Sequence, residues 1–523
     1  MCRILGSINK PFGYDVLDTI KHGGPDAQNI VTIKSAYDRE VTLGHTRLSI
    51  VDLSDAGSQP MTTQDGRFTI IFNGEIYNHK ELRKNIRFQN FRGHSDTETL
   101  LYYLAEHGID GLSHLNGIFA FALYDNIEKT VLIARDPFGV KPLYYAVNGT
   151  SAVFSSEIRP IRKLISTSVN VEAISLFLSM RHLPSPYTMF NEINKMRPGH
   201  YGIIRLAEES LQIQVFPFIS KSAQQISITF DDAIEEYGRL VKQAITRQMM
   251  GDVDVGVLLS GGVDSALVAA IASRSTSKRM KAFTVGFEND CMENEIDLAK
   301  ETANILDLEQ HVVTINENDY FNDFEKCCRI VEEPIGADST IMMYHLSELA
   351  SQHVKVVLTG QGADEPLGGY FRYQGEYIRE QLPSFVFKVL KRLVPLLGIK
   401  NQQLLRGARS LAINDDIKRI FNSYAVFTED EIFKLSGLRL GNKSEELVRY
   451  FNNLLCRKEQ SALQRSLIID SHMDLADNLL IYTDKLSMNF ALETRVPLLD
   501  LELVRFIESL PIEYKVRFRK GKV

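Results

Sequence analysis

Two hydroxyls, two glycines and a carboxylate fall within six residues at Ser260-Gly261-Gly262-Val263-Asp264-Ser265. The apolar run VDVGVLL precedes them and the helix-like ALVAAIASR follows. This order suits a polyphosphate. Paired glycines let the backbone come close, and the next helix aims free N–H groups outward. Ser260 and Ser265 add hydroxyl donors, and Asp264 can hold the Mg²⁺ that a nucleotide brings. No GxxxxGK[ST] occurs, so the loop is not of the kinase type. A second loop, Gly360-Gln361-Gly362-Ala363-Asp364-Glu365, follows the run VKVVLT and offers Asp364 as a second hard ligand. It is no dinucleotide fingerprint, because Glu365 stands where the third glycine would be. Further on, Lys485 in DKLSM is a candidate to neutralise a leaving pyrophosphate.

The other end of the chain carries a different chemistry. With Met1 removed, the Cys2 thiol lies beside its own α-amine, whose pKa of roughly 7.7–8.0 suits it to take a thiol proton. Such a pairing activates a nucleophile without a histidine. Arg47 in GHTRLSIVD can fork onto a carboxylate, and Asp96 in HSDTETL can pair with an ammonium. Asn73 and Gly74 in FNGEIYNH can supply an amide and a backbone N–H to an oxyanion. Taken together, these groups describe the recognition of glutamine. Each alone also has a plain structural reading, an NG hairpin turn at Asn73 or a surface Arg47.

Two kinds of scaffold must position them. The first 160 or so residues carry short strand-like runs broken by Gly, Asn and Asp, which predicts stacked antiparallel sheets with one helix near Leu100–Glu106. The polar stretch Ser220–Ile228 reads as a boundary, and Thr229 as the cap of a helix from Phe230. Beyond it, VDVGVLL, KAFTVGF, EQHVVTI and VKVVLT alternate with helical segments, which predicts a parallel sheet covered on both faces. Ligands of such sheets bind at the carboxyl ends of strands, where both glycine loops fall.

SGGVDS, TVGF, LTGQGADEPLGGY and DKLSM…ETRVPLLD, in that order, resemble the synthetase half of glutamine-dependent asparagine synthetases, within the wider pyrophosphatase-loop ATP enzymes. The segments around Cys2, Arg47, Asn73 and Asp96 resemble the class II glutamine amidotransferase domain of the same family. The resemblance implies an αββα sandwich of the N-terminal nucleophile hydrolase type over 1–215 and a parallel-sheet α/β synthetase domain over 225–523. It implies that Cys2 attacks glutamine, that Arg47, Leu48, Glu75 and Asp96 hold it, and that Asn73 and Gly74 stabilise the tetrahedral intermediate. Leu258 and Val285 would present backbone to adenine. Ser260, Gly261, Gly262, Asp264, Ser265, Gly360 and Lys485 would serve ATP and pyrophosphate, and Asp264 and Asp364 would serve Mg²⁺. The expected reaction joins ammonia to aspartate through a β-aspartyl-adenylate, giving asparagine, AMP and pyrophosphate. A homodimer follows by analogy.

Three departures matter. HRGPD of the family is His22-Gly23-Gly24-Pro25-Asp26 here, which removes an arginine near the first site. Gln361 replaces an acidic residue that the resemblance casts as base for ammonia, and an amide takes no proton at ordinary pH. Glu333, Glu365 and Glu376 are the nearby carboxyls that could substitute, or the acceptor is a different carboxylate, such as a sugar acid or a secondary metabolite. Third, the family usually continues past the final KVRFRKGKV, which leaves open a truncation at this end.

Between about 375 and 470 the resemblance is weak and the reading is helical only. Net charge of −7 over 523 residues argues against a general nucleic-acid binder. No signal peptide or membrane span is expected, and five cysteines without framework spacing fit a reducing cytosol. Cys327-Cys328 reads as packing, and the histidines show no metal spacing. Two further readings compete: a non-catalytic sensor of glutamine and nucleotide, and a plain cysteine hydrolase with a scaffolding second half.

Overall fold

A computed structural model describes residues 2–35, 37–288, 294–396, 401–439, 441 and 443–523. Two six-stranded antiparallel sheets form the first half. One runs Asn194–Lys195, Tyr144–Val147, Ala152–Ser155, Arg3–Ile8, Glu40–Arg47, Ala27–Lys34. The other runs Ile213–Pro217, His200–Arg205, Thr130–Arg135, Gly117–Asp125, Phe68–Ile76, Met61–Thr62.

Side-chain alternation sends Ile4 and Ile8 into the layer between the sheets, against Ile71, Ala120 and Ala122. Leu5 points the other way, onto Phe12, Leu17 and Ile158. The second sheet buries Ile70, Phe72, Phe119 and Phe121 under Leu100, Leu101 and Leu104 of the helix Asp96–His107. Both sheets are therefore covered on both faces, which is an αββα sandwich. Strand Arg3–Ile8 is buried along its whole length.

The second half contains a five-stranded parallel sheet ordered Glu309–Ile315, Lys281–Phe287, Val255–Leu258, Val356–Leu358, Glu493–Arg495. Numbered along the chain this is 3-2-1-4-5, so the winding reverses between Val255–Leu258 and Val356–Leu358. Ligands of such sheets bind beyond the strand ends at a reversal of this kind. Helices Phe230–Gln248, Val263–Arg274 and Leu501–Ser509 bury Leu240, Val268 and Leu503 against one face. Helices Glu317–Val331, Ser339–Ser351 and Ile481–Met488 bury Ile330, Tyr344 and Leu486 against the other.

Thr229 caps its helix as expected, accepting from Asp232 N. Cys327 packs within Glu317–Val331, and burial pushes its thiol up to about 12. Between 371 and 472 the described elements are all helices, with Ile420, Phe421, Val448, Phe451 and Ile469 in a separate core. Part of the apolar run through Ile399 lies outside the described residues. Among the described residues no helix is long and apolar enough to cross a membrane.

The two halves share a buried interface. Tyr77, Ile118, Phe138 and Val140 pack on Leu475, Met488, Val496 and Leu499. Charged pairs are buried beside them: Arg3 and Lys141 on Asp484, Arg135 on Asp477, Lys195 on Glu333. Breaking one such pair costs about 3–5 kcal/mol, because it leaves an uncompensated charge.

Candidate active sites

Cys2 leads directly into strand Arg3–Ile8 and is almost wholly buried. Its backbone N–H donates to Asn73 Oδ1 at 3.4 Å, and Asn73 Nδ2 donates to Ser156 Oγ at 3.4 Å. Asn73 comes from the facing strand Phe68–Ile76, so the sandwich itself brings the two together. At Gly74 φ is 151°, and a Cβ would stand 2.0 Å from Ile118 O, so only glycine fits. Cys2, Arg47, Leu48, Gly74, Glu75 and Asp96 line one narrow pocket.

Arg47 donates from Nη1 to Ser54 O at 2.9 Å and from Nη2 to Asp52 O. Five N–H donors in a fixed fork leave others for a ligand. Asp96 starts its helix and accepts from Ile76 N and Thr97 N, both at 2.8 Å. Burial pushes Asp96 up to about 6 against those two donors. Glu75 is held well above the usual carboxylate range by burial, with Asp96 and Glu493 adding repulsion. Burial also raises the Cys2 thiol, while the N-terminal charge, a backbone hydrogen bond at Leu48 and Arg47 oppose it.

Sequence reasoning missed Gln59, Ser95 and Thr97 in the same pocket. Ser95 was findable, since Ser95-x-x-Glu98 is a helix-start signature and Ser95 Oγ accepts from Glu98 N. Gln59 carries no local signal; it reaches the site by accepting from Phe72 N at 2.6 Å.

An arginine does stand beside His22-Gly23-Gly24, from another part of the chain. A Cβ on Gly23 would stand 2.6 Å from Arg3 Cγ, so Arg3 fills the space beside that residue. Its Nε donates to Glu157 Oε1 at 3.0 Å and its Nη1 to Asp484 Oδ2 at 2.7 Å.

At the parallel sheet, Ser260 Oγ and Ser265 Oγ lie 2.9 Å apart, and Gly262 N donates to Ser260 Oγ at 3.1 Å. Gly262 begins helix Val263–Arg274 without a side-chain cap. The Gly261 N–H donates to Glu295 Oε2 at 3.0 Å, so an anionic oxygen already sits on this loop. Leu258 and Val285 end up on neighbouring strands against one apolar cluster. Gly360 presses on the same helix start, where an added Cβ would meet Ser265 N at 2.7 Å. The two glycine loops therefore meet at the reversal of the sheet.

Lys522 Nζ bridges Asp264 and Asp364, at 2.7 Å from Asp364 Oδ1 and in contact with Asp264 Oδ2. Burial works against its charge, but the two carboxylates hold it above its ordinary value. Two carboxylates converging on one cation beside the Ser260–Ser265 loop fit the needs of Mg²⁺.

Lys485 departs from expectation. Its ammonium is buried in the interface on Val331 O (2.8 Å) and Glu332 Oε2 (2.7 Å), over the Tyr144 ring, so it is already spent there. In this arrangement Lys522, not Lys485, is the cation that reaches the loop.

Gln361 donates from Nε2 to Thr483 Oγ1 at 3.2 Å, and its buried Oε1 has no partner among the described residues. Glu333 is held by Tyr144 and Lys195, and Glu376 by a two-pronged Arg419. Neither is a free base. Glu365 keeps one oxygen open; its other accepts from the Tyr370 hydroxyl at 2.8 Å, and burial pushes it up to about 7.

Residues 1–216 match the model of the glutamine amidotransferase domain, and residues 236–523 that of asparagine synthase. The chain is 29% identical to asparagine synthetase [glutamine-hydrolyzing] 1 of Bacillus subtilis, covering 99% of this chain and 82% of that protein. It is 31% identical to a putative asparagine synthetase [glutamine-hydrolyzing] 2 of Methanocaldococcus jannaschii, over 79% of this chain and 85% of the relative. Amidase chry2 of Gibberella zeae is 27% identical, over 96% of this chain and 79% of its own length. With a cysteine pocket in one half and paired glycine loops in the other, the chain belongs to the asparagine synthetase family of glutamine-hydrolysing, ATP-dependent ligases.

Proposed function

We propose that the chain is a glutamine-dependent asparagine synthetase in which Cys2 releases ammonia and the Ser260 loop activates aspartate. The observation that carries the reading is the joint geometry: a nucleophile pocket and a phosphate loop joined through one buried interface.

In the first half, Arg47 takes the α-carboxylate of glutamine, and Asp96 with Glu75 takes its ammonium. Cys2 Sγ attacks the side-chain amide after Met1 is removed, its proton passing to the freed α-amine. Asn73 and the Gly74 N–H stabilise the oxyanion, ammonia leaves, and water then releases glutamate from the thioester. In the second half, Ser260, Gly261, Gly262 and Ser265 hold the phosphates, with backbone at Leu258 and Val285 facing adenine. Asp264 and Asp364 would hold Mg²⁺, which supplies charge neutralisation on the phosphates when bound. The acceptor carboxylate displaces pyrophosphate to form an acyl-adenylate, and ammonia displaces AMP. The chain keeps ammonia neutral by passing it between sites within the protein, as expected in a cytoplasmic enzyme. A homodimer is part of this reading by analogy with the family.

A second reading keeps the chemistry and changes the acceptor to another carboxylate. Gln361 favours it, since the amide offers ammonia a hydrogen bond but no base. A relative named as an amidase is consistent with it.

The test is pyrophosphate release with ATP, Mg²⁺ and glutamine, with and without aspartate, with products resolved by mass. Aspartate-dependent release that yields asparagine, and loses its glutamine dependence in Cys2→Ala while keeping that on ammonia, supports the first reading. Glutaminase activity without aspartate-dependent pyrophosphate rejects it in favour of the second. Absence of both activities rejects the ligase roles assigned to these residues.

A further inference from the structure

Several buried polar groups meet at the interface with their hydrogen bonds incomplete, and such groups call for an explanation in a native protein. Glu75 is 4% exposed, and its Oε2 has no hydrogen-bond partner among the described residues. Arg495 is 0% exposed, and its Nη2 has no hydrogen bond either, standing 3.6 Å from Glu75 Oε1. The Tyr77 hydroxyl beside them also has no hydrogen-bond partner among the described residues. Otherwise Arg495 is fixed: Nε is on Glu493, and Nη1 donates to Gln248 O at 2.6 Å and Met250 O at 2.5 Å. Only the nitrogen facing Glu75 is uncommitted.

Arg495 also touches the other site through its backbone. It pairs with Leu358, and its carbonyl accepts from Thr359 N at 3.0 Å. Thr359 Oγ1 in turn accepts from Gln361 N at 3.3 Å. One residue thus stands between the glutamine pocket and the loop that presses on Ser265.

We propose that Arg495 is a positioning residue that couples glutamine occupancy to the Gly360–Glu365 loop, by closing its open nitrogen onto Glu75 when glutamine binds in the pocket that Glu75 lines. The inference rests on the glutamine site proposed above. Asp96 on its helix, Glu493 and Arg495 on the last parallel strand, and Tyr77 and the N-terminal charge are the groups that face Glu75. With the pocket empty, Glu75 and Asp96 together retain a proton because burial and mutual repulsion disfavour full ionisation of both. The ligand's ammonium brings one positive charge, one proton leaves to solvent, and the ionised Glu75 then bonds the open Nη2. Because coupling is reciprocal, glutamine must tighten nucleotide binding as much as nucleotide tightens glutamine binding.

The experiment uses full-length Cys2→Ala, which binds glutamine without hydrolysing it, and α,β-methylene-ATP with Mg²⁺. The analogue is titrated with and without saturating glutamine, and glutamine is titrated calorimetrically in buffers of different ionisation enthalpy. Expected are a fivefold or greater tightening of the analogue, the lower end of ordinary coupling, and release of about one proton per glutamine near neutral pH. Adding Arg495→Lys reduces the tightening to under twofold while the analogue's affinity without glutamine stays within twofold. Glu75→Gln abolishes the proton release. If the tightening survives Arg495→Lys, or glutamine binds without releasing a proton, the proposal is overturned. If glutamine does not bind the Cys2→Ala protein, the glutaminase reading falls, and this inference with it.

Discussion

Replacing Gly360 with alanine tests whether the two glycine loops act as one site. The added Cβ would stand 2.7 Å from Ser265 N, 3.0 Å from Asp264 C and 3.1 Å from Ser265 Cα, all backbone atoms. Because these cannot rotate away, reaching the 3.4 Å of ordinary contact requires the loop and the helix start to part by about 0.7 Å. Gly360 has no left-handed backbone conformation, so the effect is one of space alone. Overpacking of this kind costs about 1–3 kcal/mol, and misplacing a reacting group by about 1 Å costs about a hundredfold in rate. The expected outcome is a drop of roughly ten- to a hundredfold in ATP-dependent pyrophosphate release. Thermal stability should fall by only a few degrees, and glutaminase activity should stay within about twofold, since the Cys2 pocket lies in the other half. Gly360→Ala releasing pyrophosphate within twofold of wild type would refute the argument that backbone contact between the loops positions the phosphates.

Three further outcomes follow from the same geometry. Lys522→Met removes the ammonium bridging Asp264 and Asp364; these groups are partly exposed, so the change is about 1 kcal/mol, and the Mg²⁺ needed for half-maximal binding of the ATP analogue should fall roughly fivefold. Asp96 is raised from 3.8 to about 6, so the folded state keeps a proton that the unfolded state loses. Its contribution to stability is therefore lost as pH rises between those values, and glutamine kcat/KM should rise through pH of about 6 as the carboxylate ionises. Asp96→Asn should remove both dependences; an unchanged denaturation profile over that range would contradict the assignment. Arg3→Ala strips one partner each from buried Glu157 and Asp484 and should lower stability by about 3 kcal/mol in urea titrations, with Arg3→Lys recovering only part because its single nitrogen cannot stand in for both Nε on Glu157 and Nη1 on Asp484.

Much of the second site was legible because its parts are contiguous. In Ser260–Ser265 the strand, the glycine pair and the helix start are covalent neighbours, so local geometry alone aims the donors. The strand–helix alternation likewise predicts a parallel sheet and the end of it where both loops fall. Cys2, Asn73 and Asp96 were readable as chemical types, and the antiparallel pattern predicted stacked sheets.

Partnership across long stretches of chain was not legible. Lys485 and Lys522 are the same residue type, and only packing buries the first on Glu332 and sends the second onto Asp264 and Asp364. Gln59 enters the glutamine pocket through a bond to Phe72, and Arg3 takes the space beside Gly23, neither of which any local period encodes. The sequence by itself determined which residues can do chemistry and which elements carry them, since propensity and patterning act over a few neighbours. The tertiary structure alone decided which charges face one another: burial removes water and makes each carboxylate depend on whatever cation the fold brings within about 4 Å. Arg495, some 420 residues from Glu75 along the chain, shows the difference: its type is ordinary, and only its place 3.6 Å from a buried carboxylate gives it meaning.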